Sequence, residues 1–234
     1  MSEVFLNGGA GKIQGAYISC GDERSPCALI LHSHPQYGQT GPNAGNMKNV
    51  IVNTLYNTFA ENGISVLKIN FRGIGKSEGE FDNGPGEILD ASLAIDWLLN
   101  NKPRTKIIWV AGFSFGSWVA MQITMRRPEV TNFMIVSPPY NKYDFSFLSP
   151  CPTSGFVIHG SSDSTVSEEY AREFVDKISK QKLATINYEV INGADHLYRN
   201  KVEQLRGIVD RCIKKGMEEN ERIYKIVDEN LIIK

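Results

Sequence analysis

The sequence lacks the features of a membrane-spanning or nucleic-acid-binding protein. No apolar run approaches the roughly 18 residues that a membrane-spanning helix needs. The 25 basic and 26 acidic residues nearly cancel and are interspersed along the chain, so no broad positive surface is expected. Near the N-terminus, the acidic Glu3 stands where a secretion signal would carry lysines. We therefore expect a cytoplasmic protein with no membrane or nucleic-acid partner.

Cysteine is scarce, and its spacing argues against zinc-finger and dithiol chemistry. The four cysteines are scattered without a Cys-x-x-Cys pair, and a chain of 234 residues is large enough to fold without disulfide staples. We predict that all four are reduced: Cys20, Cys27, Cys151 and Cys212. Cys151, which lies between two prolines in a predicted surface loop, is the alternative candidate for a reactive thiol.

Internal repeats and low-complexity segments are also missing; instead, short apolar runs alternate with longer segments of helical period. The predicted strands are residues 28–31, 64–70, 107–111, 133–136, 156–158 and 186–191. The predicted helical faces are Ile51, Leu55 and Phe59; Leu89, Leu93 and Trp97; Tyr170, Phe174 and Ile178; and Val202, Leu205, Val209 and Cys212. This alternation predicts an α/β fold with a mostly parallel central sheet and helices on both faces. Glycine-punctuated residues 5–21 predict an N-terminal antiparallel hairpin.

A single domain is expected for an α/β chain of this length. We assign residues 1–216 to that domain. Residues 217–234 follow Gly216 and end in the apolar stretch Leu231-Ile232-Ile233 before the final lysine. We interpret them as a C-terminal extension that packs on the domain or joins a partner subunit, so the sequence leaves a homo-oligomer open.

A serine stands between two glycines at the junction of a predicted strand and a predicted helix. The pentapeptide Gly112-Phe113-Ser114-Phe115-Gly116 follows the apolar run 107–111 and precedes the helical stretch 117–127. A sharp turn there exposes the serine hydroxyl, and glycines at the flanking positions avoid a clash with the neighbouring strand and helix. The pattern, called a nucleophile elbow, predicts Ser114 as the nucleophile. It also predicts the backbone N–H of Phe115, at the helix start, as a donor in the oxyanion hole.

An acid and a histidine follow two later predicted strands. Asp163 comes five residues after the run 156–158, and His196 comes five residues after the run 186–191. The chain order Ser, Asp, His differs from the orders in chymotrypsin and subtilisin. We predict a catalytic triad in which His196 is the general base and Asp163 orients it. Asp144 and Asp195 stay as alternative acids.

Five motifs in order carry a resemblance to a known family: His32-Ser33-His34-Pro35, Asn70-Phe71-Arg72-Gly73-Ile74-Gly75-Lys76-Ser77, the Ser114 pentapeptide, His159-Gly160 with Asp163, and Gly193 with His196. From Cys27 to Tyr198 the chain resembles the α/β-hydrolase superfamily, in particular small lidless bacterial serine hydrolases related to the dienelactone-hydrolase and prolyl-oligopeptidase-like branches. The resemblance implies an α/β-hydrolase fold. It also implies a second oxyanion donor from the loop after the first core strand, for which we choose the His34 backbone because Pro35 has no N–H. The chain departs from many relatives in having Ser33 where they have glycine.

These residues predict a serine hydrolase that works through an acyl-enzyme and needs no cofactor. We favour a carboxylesterase on small or medium acyl esters. A thioesterase and an aminopeptidase-like peptidase use the same machinery, and a non-catalytic binding protein on the same fold is the alternative of another class. Too few residues separate Val136 from Phe156 for a large cap, so an open cleft for a small-molecule acyl substrate is expected. Several loop aromatics could surround that cleft, and the predicted substrate contacts among them are Tyr37, Tyr140 and Tyr198.

Two further patterns suggest chemistry that we do not expect. His32-Ser33-His34 contains two possible metal ligands, but a site would need a third and a fourth, so no metal is predicted. Gly75-Lys76-Ser77 is reminiscent of a phosphate-binding loop, but Asn70 stands where the first glycine of that motif belongs. Arg72, in the same segment, is predicted to form a buried ion pair or to position a loop, and a contact with substrate is left open.

Overall fold

An eight-stranded sheet forms the centre of the structure. The computed structural model describes residues 2–38, 40–148, 150–180 and 184–232. The strands are β1 Ser2–Gly8, β2 Gly11–Ile18, β3 Cys27–Leu31, β4 Ser65–Ile69, β5 Ile108–Phe113, β6 Asn132–Val136, β7 Gly155–Gly160 and β8 Ile186–Ile191. The helices are α1 Val50–Glu61, α2 Pro85–Asn101, α3 Phe115–Arg126, α4 Glu168–Ser179 and α5 Val202–Ile232, with a short 3-10 helix at Pro35–Tyr37.

The strands lie in the order β1-β2-β4-β3-β5-β6-β7-β8. β1 and β2 form an antiparallel hairpin in which Leu6 pairs with Ile13, and β2 joins β4 in antiparallel orientation. The remaining pairings, from β4 to β8, are all parallel. This topology confirms the predicted α/β-hydrolase fold with its mostly parallel sheet and N-terminal hairpin.

Apolar clusters cover both faces of the sheet. Alternate residues of β3 point to opposite sides: Leu29 belongs to the cluster beneath α2, α3 and α4, whereas Ile30 belongs to the cluster beneath α1 and α5. A strand covered on both sides has no solvent-facing positions, which is why the central strands are apolar throughout. Because the strands from β4 to β8 run parallel, their carboxyl ends lie at one edge of the sheet, and the loops that follow them share that edge.

The predicted packing face of α2 is partly wrong. We expected Leu89, Leu93 and Trp97 to share a core-facing side, but Leu89 is 46% exposed, whereas Trp97 is partly buried against the core. The apolar side chains that α2 buries completely lie on a neighbouring stripe: Ala91, Ala94, Ile95 and Leu98. At the start of the helix, Glu87 accepts hydrogen bonds from the backbone of Asp82 and Gly84. In α4 the predicted Ile178 is buried and Phe174 packs against the core, whereas Tyr170 is exposed.

Arg72 forms the predicted buried ion pair, and its partner is Asp90 on α2. Arg72 Nη2 lies 2.7 Å from Asp90 Oδ1, and the two side chains are 11% and 1% exposed. The backbone N–H of Arg72 also donates to Asp90 Oδ2 at 2.9 Å. The pair therefore fixes α2 to the loop after β4.

We expect Asp90→Ala to lower the free energy of unfolding by about 3–5 kcal/mol, because it leaves a buried guanidinium without its counter-charge. Urea denaturation measures the change. The matched control is Asp96→Ala on the same helix, since Asp96 pairs with Arg127 but is 52% exposed, and we expect it to cost less than about 1 kcal/mol. Equal losses in the two variants would contradict a special role for the buried pair.

The segment between β6 and β7 contains no cap over the sheet edge. Within residues 137–148 and 150–154, which are the described part of this segment, the chain forms turns and no helix. The absence of a large cap was predicted from the short distance between Val136 and Phe156, and the described residues confirm it.

Helix α5 passes through Gly216 without a break. Beyond that residue, Asn220 Nδ2 donates to Asn132 Oδ1 at 2.6 Å and the Tyr224 hydroxyl donates to the Lys106 carbonyl, so both side chains contact the domain at the start of the strands. The division into residues 1–216 and 217–234 stays a prediction, and residues 233–234 lie outside the described part. Across the described ranges, no helix has both the length and the apolar character needed to cross a membrane.

Candidate active site

Ser114 occupies a strained turn between β5 and α3. Its backbone has φ 52° and ψ −118°, a left-handed conformation that residues with side chains rarely adopt. A Cβ atom on Gly112 would lie 2.2 Å from the Gly116 carbonyl oxygen, and one on Gly116 would lie 2.4 Å from the Leu31 carbonyl oxygen. The close approach of these backbones therefore requires glycine on both sides of the serine. The turn is held by the Ser114 N–H, which donates to the Val136 carbonyl at 2.9 Å.

Three side chains from three different loops meet at this edge of the sheet. Ser114 Oγ lies 3.1 Å from His196 Nε2, and His196 Nδ1 lies 2.7 Å from Asp163 Oδ2. All three side chains are buried. The arrangement is a continuous hydrogen-bonded chain from a carboxylate through an imidazole to a hydroxyl, and it brings together the three residues predicted as a triad.

The Asp163 carboxylate is held by its own loop as well as by His196. Its Oδ1 accepts hydrogen bonds from the backbone N–H groups of Thr165 and Val166, at 2.8 and 2.9 Å. Burial alone would raise the pKa of Asp163, but the hydrogen bond and charge of His196 and the Val166 N–H together hold it below the ordinary value. The carboxylate is thus ionised at neutral pH and can support a positive imidazole.

The two alternative acids lie in other surroundings. Asp144 is exposed, and it accepts hydrogen bonds from the backbone and hydroxyl of Ser146. Asp195 accepts a hydrogen bond from the backbone of Arg199 at 2.9 Å and pairs with its guanidinium. The geometry therefore joins Asp163, and neither of these two, to His196.

The groups predicted as oxyanion donors lie beside the serine. Phe115 is the first residue of α3, so its N–H is among those that have no acceptor within the helix. His34 follows β3, and its ring lies 5.7 Å from the Phe115 ring. Both residues line a small cleft of about 60 Å³ that also contains Ser114. Their role as donors stays a proposal.

Similarity to known proteins agrees with this geometry. Residues 21–147 match the family model of X-Pro dipeptidyl-peptidase (S15 family). An uncharacterized protein of Rickettsia prowazekii is 47% identical over 208 residues, which cover 87% of this chain and 85% of that protein. The crystal structure of a putative α/β-hydrolase of unknown function from Agrobacterium tumefaciens is 42% identical, with a TM-score of 0.88 over 93% of this chain and 97% of the other. The chain belongs to the S15 family and to the α/β-hydrolase superfamily. A serine hydrolase without a lid from Xanthomonas campestris is also similar, at 26% identity and a TM-score of 0.78 over 92% of this chain and 94% of the other.

Of the three tyrosines predicted to contact substrate in this α/β-hydrolase, one lines the cleft. Tyr37 stacks over His196 with ring centroids 6.0 Å apart and an interplanar angle of 28°, and it forms part of the cleft wall. Tyr140 stacks on Phe174 with centroids 4.1 Å apart, and it lines a neighbouring cavity of about 290 Å³ between the β6–β7 segment and α4, which shares Tyr143 with the cleft. The structure thus corrects the expectation that Tyr140 lines the Ser114 cleft, and a substrate contact of Tyr140 stays a prediction.

The prediction for Tyr198 is also corrected. This side chain is fully buried at 0% exposure, and its hydroxyl lies 3.0 Å from Ser137 Oγ. The polar end of the ring is thus used inside the core, and the ring packs among apolar residues beneath α5.

Several residues of the cleft were not selected from the sequence. Two of them, Lys142 and Tyr143, follow β6 and line the cleft together with Ser114. Tyr143 was one of several loop aromatics, and Lys142 carried no signal beyond its place in a loop at the carboxyl edge of the sheet. Lys142 gives the cleft a basic side chain that sequence patterns do not reveal.

His32 is a structural residue, and not a metal ligand. Burial lowers its pKa to about 4, so the ring is neutral. Its Nδ1–H donates to the Ser33 carbonyl at 2.6 Å, and Nε2 accepts from the Phe71 N–H at 3.1 Å. Both ring nitrogens are thus occupied by the backbone. In the described part of the chain, no group of three or more His, Cys, Asp or Glu side chains is arranged to hold a metal.

A larger cavity lies away from these groups. It measures about 540 Å³ and is bounded by the end of α3, the residues before β6 and β7, and the last part of α5. These are the amino ends of the strands, opposite the edge that carries Ser114. None of the four cysteines forms a disulfide, and burial raises the pKa of Cys151 above its ordinary value, so a reactive thiolate there is disfavoured.

Proposed function

We propose that the protein is a serine hydrolase that cleaves carboxylic esters with small or medium acyl groups through a covalent acyl-enzyme. The observation that carries the proposal is the continuous hydrogen-bonded chain from Asp163 through His196 to Ser114, which ends at a cleft open to solvent. The strained backbone of Ser114 also supports the proposal, because strain of this kind is concentrated at functional sites.

In the proposed reaction, His196 Nε2 takes the hydroxyl proton of Ser114 as its oxygen attacks the ester carbonyl. Asp163 holds Nδ1 protonated and stabilises the imidazolium that forms. The tetrahedral intermediate then collapses, the alkoxide leaves with the proton from Nε2, and the acyl group remains on Ser114. Water repeats the sequence in the second half: it loses a proton to His196, attacks the acyl carbonyl and releases the acid.

Negative charge on the carbonyl oxygen is stabilised, in this proposal, by the backbone N–H groups of Phe115 and His34. The first N–H lies at the positive end of α3, whose dipole adds to the hydrogen bond. Loss of one such donor typically removes about 3 kcal/mol of transition-state stabilisation.

The character of the cleft supports esters over substrates with a free amino terminus. An aminopeptidase must bind a positively charged amino group, and a carboxylate in the cleft would serve that purpose. Among the described residues that line the cleft there is no carboxylate, and Lys142 is present instead. A thioesterase differs from an esterase only in its leaving group, so it stays the nearest alternative.

A two-part experiment tests the proposal. A fluorophosphonate probe is expected to label the protein stoichiometrically, and 4-nitrophenyl esters of increasing acyl length are compared with thioesters and aminoacyl amides of the same acyl groups. We expect kcat/KM to be highest for esters of short or medium length. A preference for the amides would favour the peptidase, and a folded protein that neither reacts with the probe nor turns over any substrate would favour a binding protein.

A further inference from the structure

Lys142 stands at the cleft on a turn that fixes its backbone. The N–H groups of Lys142 and Tyr143 both donate to the Pro139 carbonyl, at 3.0 and 3.1 Å. Pro139, Lys142 and Tyr143 all line the cleft that contains Ser114. Lys142 is exposed, so its long side chain is free of the core and borders the space that a bound molecule would occupy.

The ammonium group of Lys142 has no counter-charge within the described residues. Two exposed lysines are paired with acids, Lys76 with Glu3 at 2.9 Å and Lys214 with Asp210 at 2.7 Å, and Lys142 is set apart from the other exposed lysines by its place at the cleft. No ion pair or side-chain hydrogen bond in the described ranges involves Lys142. Asp163 is already bound to His196 and to two backbone N–H groups, and Asp144 accepts hydrogen bonds from Ser146.

The positive charge of Lys142 affects His34, another residue that lines the cleft. Burial lowers the pKa of His34, and the charge of Lys142 lowers it further. The start of α3 adds the positive end of a helix dipole at Phe115. The cleft is therefore biased toward anions, although the whole chain carries a formal charge of −1.

We infer that Lys142 makes the enzyme selective for esters that carry a carboxylate. Monoesters of dicarboxylic acids are the simplest members of this class. A carboxylate on the bound ester would supply the counter-charge that Lys142 lacks, whereas a cationic ester would be repelled. The inference rests on the proposed esterase function and specifies, in addition, the charge of the preferred substrate.

The test measures a preference, which is the ratio of kcat/KM for an anionic ester to that for a neutral ester of similar size. For charge on the acyl part, the pair is 4-nitrophenyl hydrogen glutarate and 4-nitrophenyl valerate. For charge on the leaving group, the pair is 4-acetoxybenzoate and its methyl ester. We expect the wild-type protein to prefer the anionic member of at least one pair. We expect Lys142→Met to lower that preference about five- to tenfold, and added salt to weaken it in the wild type.

Lys177→Met is the matched control, since Lys177 borders the neighbouring cavity and not the cleft. It removes the same charge a short distance away, and we expect it to leave the preference unchanged. Lys142→Glu is expected to reverse the preference. Because both esters are measured on one protein sample, partial unfolding of a variant cancels from the ratio.

The inference is overturned if the wild type prefers neither anionic ester, or if Lys142→Met keeps the wild-type ratio, or if Lys177→Met lowers it equally. Fluorophosphonate labelling separates these results from failure of the proposed function. A protein that is labelled and hydrolyses neutral esters without a charge preference contradicts only the role of Lys142. A folded protein without labelling or turnover contradicts both.

Discussion

Replacing Ser114 with alanine is expected to lower ester hydrolysis about 10⁶-fold and to abolish labelling by fluorophosphonate. The hydroxyl is the atom that forms the acyl bond in the proposed reaction, and it lies 3.1 Å from the only general base in contact with it among the described residues. Alanine keeps the Cβ and can occupy the same strained backbone, so the thermal midpoint should change little. Steady-state kinetics with 4-nitrophenyl acetate and mass spectrometry of the probe adduct measure the two effects.

Ser146→Ala is the control for this substitution. Ser146 is exposed beside the neighbouring cavity, and its hydroxyl donates to Asp144 at 2.8 Å. We expect full labelling and nearly full turnover in this variant. Residual activity above a few per cent in Ser114→Ala, with contaminating enzyme excluded, would argue for a nucleophile other than Ser114.

Replacing Asp163 with asparagine is expected to lower turnover about 10⁴-fold while the protein stays folded. The asparagine oxygen can still accept the N–H groups of Thr165 and Val166, so its amide nitrogen turns toward His196 Nδ1. An N–H there requires Nδ1 to be the acceptor, which moves the imidazole proton to Nε2. His196 then presents N–H to Ser114 and cannot take the hydroxyl proton.

Asp144→Asn and Asp195→Asn are the matched controls, because they change the other two candidate acids in the same way. Their carboxylates bond to Ser146 and Arg199 and not to the His196 ring, and asparagine can still accept these backbone hydrogen bonds, so we expect each variant to keep at least about half of the wild-type turnover. If Asp144→Asn were as damaging as Asp163→Asn, the acid would have been wrongly assigned.

The strands and the meeting of Ser114, Asp163 and His196 were predictable from the sequence for a physical reason. Parallel strands covered on both faces are largely apolar, so residues 133–136 stand out as a run and lie within β6, which is buried at every position. Reactive residues that directly follow such runs end up at one edge of the sheet. The prediction thus needed only local patterns and the direction of the strands.

The face of α2 and the place of Tyr198 were not predictable in this way. A large apolar residue such as Leu89 dominates a helical pattern, but α2 turns its alanines inward because Asp90 pairs with Arg72, 18 residues earlier in the chain. Tyr198 points into the core because its backbone has φ 53° and its hydroxyl meets Ser137, 61 residues away. Contacts between residues far apart in the chain determine the buried face of α2 and the position of Tyr198. Local sequence patterns do not reveal such contacts.

Lys142 was missed because an isolated lysine in a loop has no periodicity or motif. Its significance comes from the side chains across the cleft and from the lack of a counter-charge within the described residues, and both are properties of the folded chain.

The absence of a cap over the sheet edge has a consequence for how relatives of this protein can diverge. The reacting groups follow β5, β7 and β8, whereas Pro139, Lys142 and Tyr143 come from the segment after β6, which supplies none of them. Substitutions in that segment would change the substrate specificity and leave the proposed catalytic residues unchanged. Homologues can therefore evolve new specificities through changes in a single surface loop.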